Sequence, residues 1–511
     1  MISNKMDLLN KVSGLSGQKK KFPVYLVLLL VFYLFHNYNQ IFGFIPFTQI
    51  LYYLIFCFSA VLCYWLIYFF YKSSQKAGVL AFLLSAFFLF FGQYHDFLKI
   101  ALSGSFLSSY KVVVPFSLLF IFLLWGYLNK RPNALSRFSQ YLHVLMMVLC
   151  VIETFLLLYN GSRFLKDKNL IYPEFSICNK YTSSNIPDSL KPDIYYMVFD
   201  EYTNNKTLQE IWGFDNSDIS NWLTSRDFYN IPESNSNYTL TPFSISSTLN
   251  MNYLPRETGE IGTARNYLLA NRSISTNETF CLLKKESYTI RFIAPFSNAI
   301  EQNEIRPFFD ELFERQLSAS TFWGRFRKDV YWNFQKTGKI SKDPPQGDQR
   351  KAEEVAFTVK KIKSTTDSLV NRKPKFVYGH FMITHEPHVF DSTGKILTGN
   401  NSMPKQEAFF TYTQQVLYAN RIIKELVDYI RSNNKKKTII IIQGDHGYSK
   451  HQPSRLRYYF PIFNAIYFPD KNYDQFYKTM SPINTFRILF NQYFYQKLEV
   501  LKDSSIIVKQ L

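Results

Sequence analysis

Five apolar runs fill the first 160 residues, at Phe22–His36, Pro46–Tyr71, Ala77–Gly92, Val112–Leu128 and Phe138–Tyr159. Most lie near the ~20 residues that a helix needs to cross a bilayer, where every backbone polar group must be bonded within its own segment. Residues 1–160 are therefore expected to form an anchor of about five transmembrane helices. Lys19, Lys20 and Lys21 precede the first run, Lys72 and Lys76 follow the second, and Lys130, Arg131 and Arg137 follow the fourth, whereas Asn37–Phe47 holds no basic residue. Positive loops stay on the cytoplasmic side. The N-terminus is thus expected inside and everything after the fifth helix outside. The loop from Gln93 to Lys111, which carries Lys99, Lys111 and Asp96, is assigned outside only by default. No small-residue cleavage site follows the first run, as expected of a retained anchor.

The formal net charge of +19 does not point to nucleic acid. About half of it lies in the first 164 residues, with 13 Lys and Arg against 3 Asp and Glu, and serves as a topology signal. The mildly basic remainder suits work beside anionic lipid head groups. No zinc-finger spacing, RNA-binding aromatic motif or basic stripe is present. Of five cysteines, Cys57, Cys63 and Cys150 lie in expected spans. Cys178 and Cys281 belong to the external part, either as a disulfide or as two buried thiols, a choice that depends on their spatial separation.

A polar linker, residues 161–191, leads into a domain over residues 192–511. Strands are expected at Ile194–Asp200, at the end of Leu283–Phe292, at Lys375–Ile383 and at Lys437–Gln443, alternating with helical patterns at Gln349–Arg372 and Glu407–Asn433. That alternation predicts an α/β/α fold with a mainly parallel sheet, whose ligands gather at the carboxyl ends of the strands.

Two of those strands end in chemistry: Met197-Val198-Phe199-Asp200-Glu201 and Gln443-Gly444-Asp445-His446-Gly447. Asp200, Asp445 and His446 offer the carboxylate and imidazole set that suits Zn²⁺ or Mn²⁺ while leaving room for a substrate oxygen. Thr241-Pro242-Phe243-Ser244 reads as a helix start with Thr241 as N-cap and Pro242 as first helical residue, which places the Thr241 hydroxyl where an anion is favoured. Beyond residue 150 the histidines are confined to His380, His385, His388, His446 and His451. An ordinary N-cap for Thr241, a core histidine for His380 and surface positions for His388 and His451 are the plain readings of the same residues. Arg455 and Arg457 could clamp phosphate or face solvent.

From about Lys191 to Asp470 these motifs resemble the alkaline phosphatase and sulfatase superfamily. The five-span anchor joined to such a domain resembles bacterial lipoteichoic acid synthases and lipid A phosphoethanolamine transferases. The resemblance implies that Thr241 is the nucleophile of a covalent phospho-enzyme and also a metal ligand, with Ser244 a recurring neighbour. It makes Asp200 and Glu201 alternative ligands, of which Asp200 is preferred. It implies a catalytic role for His385, substrate contacts for His380, Ser244, His388 and His451, and one metal site with a second that His388 and His451 could complete. A sulfatase of the formylglycine type would need Cys-X-Pro-X-Arg, which is absent. The expectation is a transferase moving a phospho-head group from a lipid donor to a glycan, lipid or water, in a bacterial cytoplasmic membrane with its catalytic domain outside. A phosphodiesterase or sulfuric ester hydrolase, and an inactive binding module of the same fold, are the alternatives. The aromatic residues Trp212, Phe214, Trp222, Phe228 and Tyr229 could face core, substrate or membrane, and the segment after Lys471 is expected to close the domain without chemistry.

Overall fold

The structure is a computed structural model that describes residues 22–40, 42, 54–102, 105–170, 177–254, 261–262, 264–294, 318–327, 346–367, 373–397, 405–448 and 456–510. It divides into two compact units, residues 1–166 with 312–341 and residues 167–311 with 342–511.

In the first unit the described residues of the five apolar runs fall almost entirely in helices, α1 (Val24–Gln40), α2 (Leu54–Tyr71), α3 (Ser74–Ala101), α4 (Tyr110–Asn129) and α5 (Pro132–Leu170), while residues 46–53 of the second run lie outside the described residues. Ser74–Ala101, Tyr110–Asn129 and Pro132–Ser162 are long and apolar enough to cross a membrane, and Cys57–Tyr71 is a shorter apolar helix. On α4, Phe116, Leu119, Phe120 and Leu123 are all exposed, an outer face suited to lipid rather than water. Glu153 is a charge within the fifth run. Buried on α5, its carboxylate is 2.8 Å from His36 Nδ1 and accepts from Asn39 Nδ2 at 2.6 Å, as an ionisable group among apolar helices must.

The second unit is built on six strands in the order β2-β7-β6-β1-β5-β4, comprising β1 (Asp193–Phe199), β2 (Tyr229–Asn230), β4 (Thr289–Ile293), β5 (Lys375–Phe381), β6 (Thr438–Gly444) and β7 (Asn464–Tyr467). A separate pair joins β3 (Ile261–Gly262) to β8 (Lys509–Gln510). β4, β5, β1 and β6 run parallel, whereas β7 is antiparallel to both β6 and β2. Side chains of β1 alternate between two cores, with Ile194, Tyr196 and Val198 on one face and Tyr195, Met197 and Phe199 on the other. Burial on both faces explains why β1 and β6 read as unbroken apolar runs.

Among the described residues the longer helices of this unit are α6 (Asn205–Trp212), α7 (Ser217–Thr224), α8 (Thr241–Asn250), α9 (Ala264–Ser275), α10 (Glu278–Lys285), α11 (Gln346–Asp367), α12 (Lys405–Asn433) and α13 (Thr485–Phe494). α13 buries Phe486, Leu489, Phe490 and Phe494 against the first core face, so the C-terminal segment does close the domain. Trp212, Phe214, Trp222, Phe228 and Tyr229 pack on the cores. Cys178 and Cys281 are bonded, with 6.0 Å between their Cα atoms. Part of the polar stretch before β1 is held by one buried carboxylate: Glu286 accepts from Tyr181 Oη at 2.7 Å and the Ser184 N–H at 2.7 Å, and pairs with Lys191 Nζ at 3.0 Å.

Candidate active site

Strand register brings the chemistry together. Phe199 pairs with Phe381 on one side and Gly444 on the other, so Asp200 and Asp445 both leave the sheet at its carboxyl edge beside the last residues of β5. Tight packing shapes the Asp-His-Gly turn. A Cβ on Gly447 would lie 2.3 Å from the Tyr458 carbonyl oxygen, so no larger residue fits there without a shift of backbone. The Asp445 carboxylate is fixed through Oδ1, which accepts the N–H groups of Glu201 at 3.0 Å and His446 at 2.9 Å.

Thr241 is not a capping residue. The helix begins at Thr241 itself with Leu240 as N-cap, and the Thr241 hydroxyl lies 3.2 Å from Asp200 Oδ2, to which it donates, and 3.3 Å from His446 Nε2. Ser244, one turn on, donates to the Asp445 carbonyl at 2.6 Å and ties α8 to the end of β6.

Asp200, Asp445 and His446 are buried, and each presents a ligand atom within 4.8 Å of the others. Among the described residues Asp200 Oδ1 and Asp445 Oδ2 have no hydrogen-bond partner, and His446 Nε2 is 3.7 Å from both. His446 Nδ1 lies 3.1 Å from the Gly447 carbonyl, so an N–H there turns the Nε2 lone pair toward the two carboxylates. Two orphaned carboxylate oxygens and an oriented imidazole fit a divalent cation. Electrostatics agree. Burial opposes the charge on Asp200, but the imidazoles of His385, His380 and His446 outweigh it and hold its carboxyl well below the usual range. Burial first and the Asp200 charge second push Asp445 up. Burial disfavours the His446 imidazolium, yet Asp445, Asp200 and Glu201 together push it up to about 9.

The remaining sequence candidates separate. Glu201 is buried with a left-handed φ of 59°, and its side chain is not among the converging ligand atoms. His380, next to last in β5, has Nε2 3.2 Å from Asp200 Oδ2 and Nδ1 2.8 Å from Tyr378 Oη, so a core histidine orients the carboxylate. His385 is half-buried, with Nδ1 2.5 Å from the Glu386 carbonyl. His388 lies 3.2 Å from Thr411 Oγ1 and against the rings of Tyr412 and Tyr448. His451 and Arg455 lie outside the described residues, while Arg457 covers the Tyr458 ring at 4.7 Å.

One residue escaped sequence reasoning altogether. Lys351 on α11 is buried and donates from Nζ to the carbonyls of His385 at 2.6 Å and Pro387 at 2.8 Å. Burial brings its pKa down to about 7 against the pull of Asp200, Glu201, Asp348 and Glu354. In a helix that also carries Arg350, Glu353, Glu354, Lys360, Lys361 and Lys363, nothing local distinguishes it from a solvated charge.

The fold and site define a class. Residues 239–487 match the Sulfatase family, so this part of the chain is a sulfatase domain of the alkaline phosphatase-like superfamily, an enzyme fold; Asp200 lies just upstream of the matched residues. Among curated proteins none matches the sequence. Similar solved structures include the integral membrane lipooligosaccharide phosphoethanolamine transferase A (EptA) from Neisseria meningitidis, at 11% identity and TM-score 0.37 over 91% of this chain and 95% of that one. The periplasmic domain of phosphoethanolamine transferase EptC from Campylobacter jejuni shares 14% identity, with TM-score 0.37 over 61% of this chain and 92% of that one. The corresponding EcEptC domain from Escherichia coli shares 10%, with TM-score 0.39 over 61% and 86%.

Proposed function

We propose that the protein is a membrane-bound, metal-dependent transferase that moves a phosphate-bearing head group from a lipid donor onto Thr241, and from there to a glycan, lipid or water, outside a bacterial cytoplasmic membrane. The observation that carries this reading is the Thr241 hydroxyl, set 3.2 Å from Asp200 Oδ2 and 3.3 Å from His446 Nε2.

Asp200, Asp445 and His446 would hold the cation, Zn²⁺ or Mn²⁺, which when bound supplies Lewis-acid stabilisation to phosphate oxygens. The rest is done by the chain. Asp200 Oδ2 accepts the Thr241 hydroxyl proton, which raises electron density on Oγ1 for attack at phosphorus. A bond from Oγ1 to phosphorus forms as the bond to the lipid oxygen breaks, and His385 is placed in this scheme as the acid that protonates the departing oxygen. In the second step an acceptor hydroxyl gives its proton to His385 and bonds to phosphorus as the Oγ1–phosphorus bond breaks, and the proton held on Asp200 returns to Thr241 Oγ1. The N-terminus of α8, where Thr241 sits, favours the negative charge throughout.

A second reading, a hydrolase with water as sole acceptor, is favoured by the Sulfatase match itself. Intact-mass measurement of the full-length protein with Zn²⁺ or Mn²⁺ and a bacterial lipid extract separates the two. Transfer through Thr241 predicts an adduct on wild type and none on Thr241→Ala, its mass naming the head group. Release of soluble phosphate ester with no adduct on either protein would favour the hydrolase, and an adduct retained by Thr241→Ala would refute the nucleophile.

A further inference from the structure

Residues Ser318–Arg327 lie in sequence between β4 and α11 of the sulfatase domain, yet they pack with the anchor helices. The seat is specific. The Gly92 N–H of α3 donates to the Ser320 carbonyl at 2.7 Å, and Tyr33 Oη of α1 lies 3.2 Å from Ser320 Oγ. A Cβ on Gly92 would stand 2.2 Å from the Ala319 carbonyl oxygen, so a glycine is required at this point of α3. Phe322 meets Phe91 edge-on at 4.9 Å, and Arg325 forms an ion pair with Asp96. Thr321 caps the short helix Phe322–Phe326 by accepting the Gly324 N–H at 3.0 Å.

The level of this seat on α3 tells what surrounds it. Lys72 and Lys76 stand at the N-terminal end of α3 and Lys99 in its last turn, and at about 1.5 Å per residue Gly92 and Asp96 stand roughly 24 and 30 Å beyond Lys76, against a hydrocarbon core of about 30 Å. Asp96 and Arg325 therefore meet at the opposite membrane–water boundary. At this level the side chains left unburied are those of an interface: Trp323 is 51% exposed and stacked on Phe326 at 5.9 Å, Arg327 is exposed, and Phe97, Ile100, Phe106 and Leu107 near the same end of α3 are open too.

We infer that Ser318–Arg327 is an interfacial strap whose Trp323–Phe326 face inserts among lipid head groups and upper acyl chains, with Arg327 toward lipid phosphates. It fastens residues 318–327 to the bilayer surface beside α3. The partner is the outer lipid surface, whatever group the active site transfers.

The test uses full-length protein in nanodiscs of phosphatidylcholine, either plain or brominated at the upper acyl carbons. The emission of Trp323 is obtained by subtracting the Trp323→Phe spectrum from wild type. The strap predicts a blue-shifted Trp323 share that is lost in brominated discs. Equal intensity in both discs, with the emission of hydrated indole, would overturn the inference. Arg325→Glu should free the share from quenching, and adding Asp96→Lys should restore it. Quenching unmoved by Arg325→Glu would refute the seat on α3.

Discussion

The position of His446 makes metal binding a proton-release reaction. Its Nε2, 3.7 Å from both Asp200 Oδ1 and Asp445 Oδ2, carries a proton up to a pKa of about 9, and a cation can bind there only when that proton leaves. At pH 7 the gap of about two units costs about 2.7 kcal/mol, or roughly 100-fold in affinity. Apparent affinity should therefore tighten about tenfold per pH unit below 9 and level off above it. Isothermal titration of Zn²⁺ or Mn²⁺ into full-length protein, in buffers of different ionisation enthalpy, counts the protons directly: about one released at pH 7 and about half at pH 9. Zero protons released at pH 7, or an affinity flat from pH 6 to 8, would refute the reasoning. The metal-free protein has the opposite dependence at this residue. A folded pKa above the ordinary histidine value of 6.5 gives stability that is complete below pH 6.5 and lost as pH rises toward 9, so the stability advantage of wild type over His446→Gln should shrink across that window.

Lys351→Met should lower turnover by about tenfold or more, since each bond from a charged donor contributes about 1.5–3 kcal/mol to holding the His385–Pro387 carbonyls, while metal affinity stays within a few fold; a parallel loss of metal by titration would contradict a positioning role. Removing the Cys178–Cys281 bond, which closes a loop of 103 residues, should cost up to about 4.7 kcal/mol by chain entropy. Spread over a unit of roughly 300 residues, that is a drop of about 7 °C in Tm, and an unchanged melt in the double serine variant would count against it. Glu153→Ala removes the carboxylate that His36 Nδ1 and Asn39 Nδ2 share, leaving Asn39 only the residue-153 carbonyl at 3.0 Å, and should destabilise the anchor by about 1–3 kcal/mol, read as earlier unfolding in detergent.

Where burial is uniform along an element, the sequence carried the information alone. β1 and β6 are covered on both faces, so their apolar runs announced strands, and the acids that break those runs marked the carboxyl edge. Length and apolarity likewise revealed the helices of the anchor. The antiparallel β7, four residues long, gives no such run, and its pairing with β6 rests on contacts distant in sequence. The orientation of Thr241 is another tertiary result, because a Thr-Pro helix start is equally compatible with a cap until β1 and β6 bring Asp200 and His446 to its hydroxyl. Lys351 and Glu286 look like surface charges until folding buries them. Cys178 and Cys281 became a bond through proximity, and Ser318–Arg327 found α3 across more than 200 residues. Local propensity follows from neighbours in the chain, whereas desolvation, ion pairing and ligand geometry arise only where distant segments meet in space.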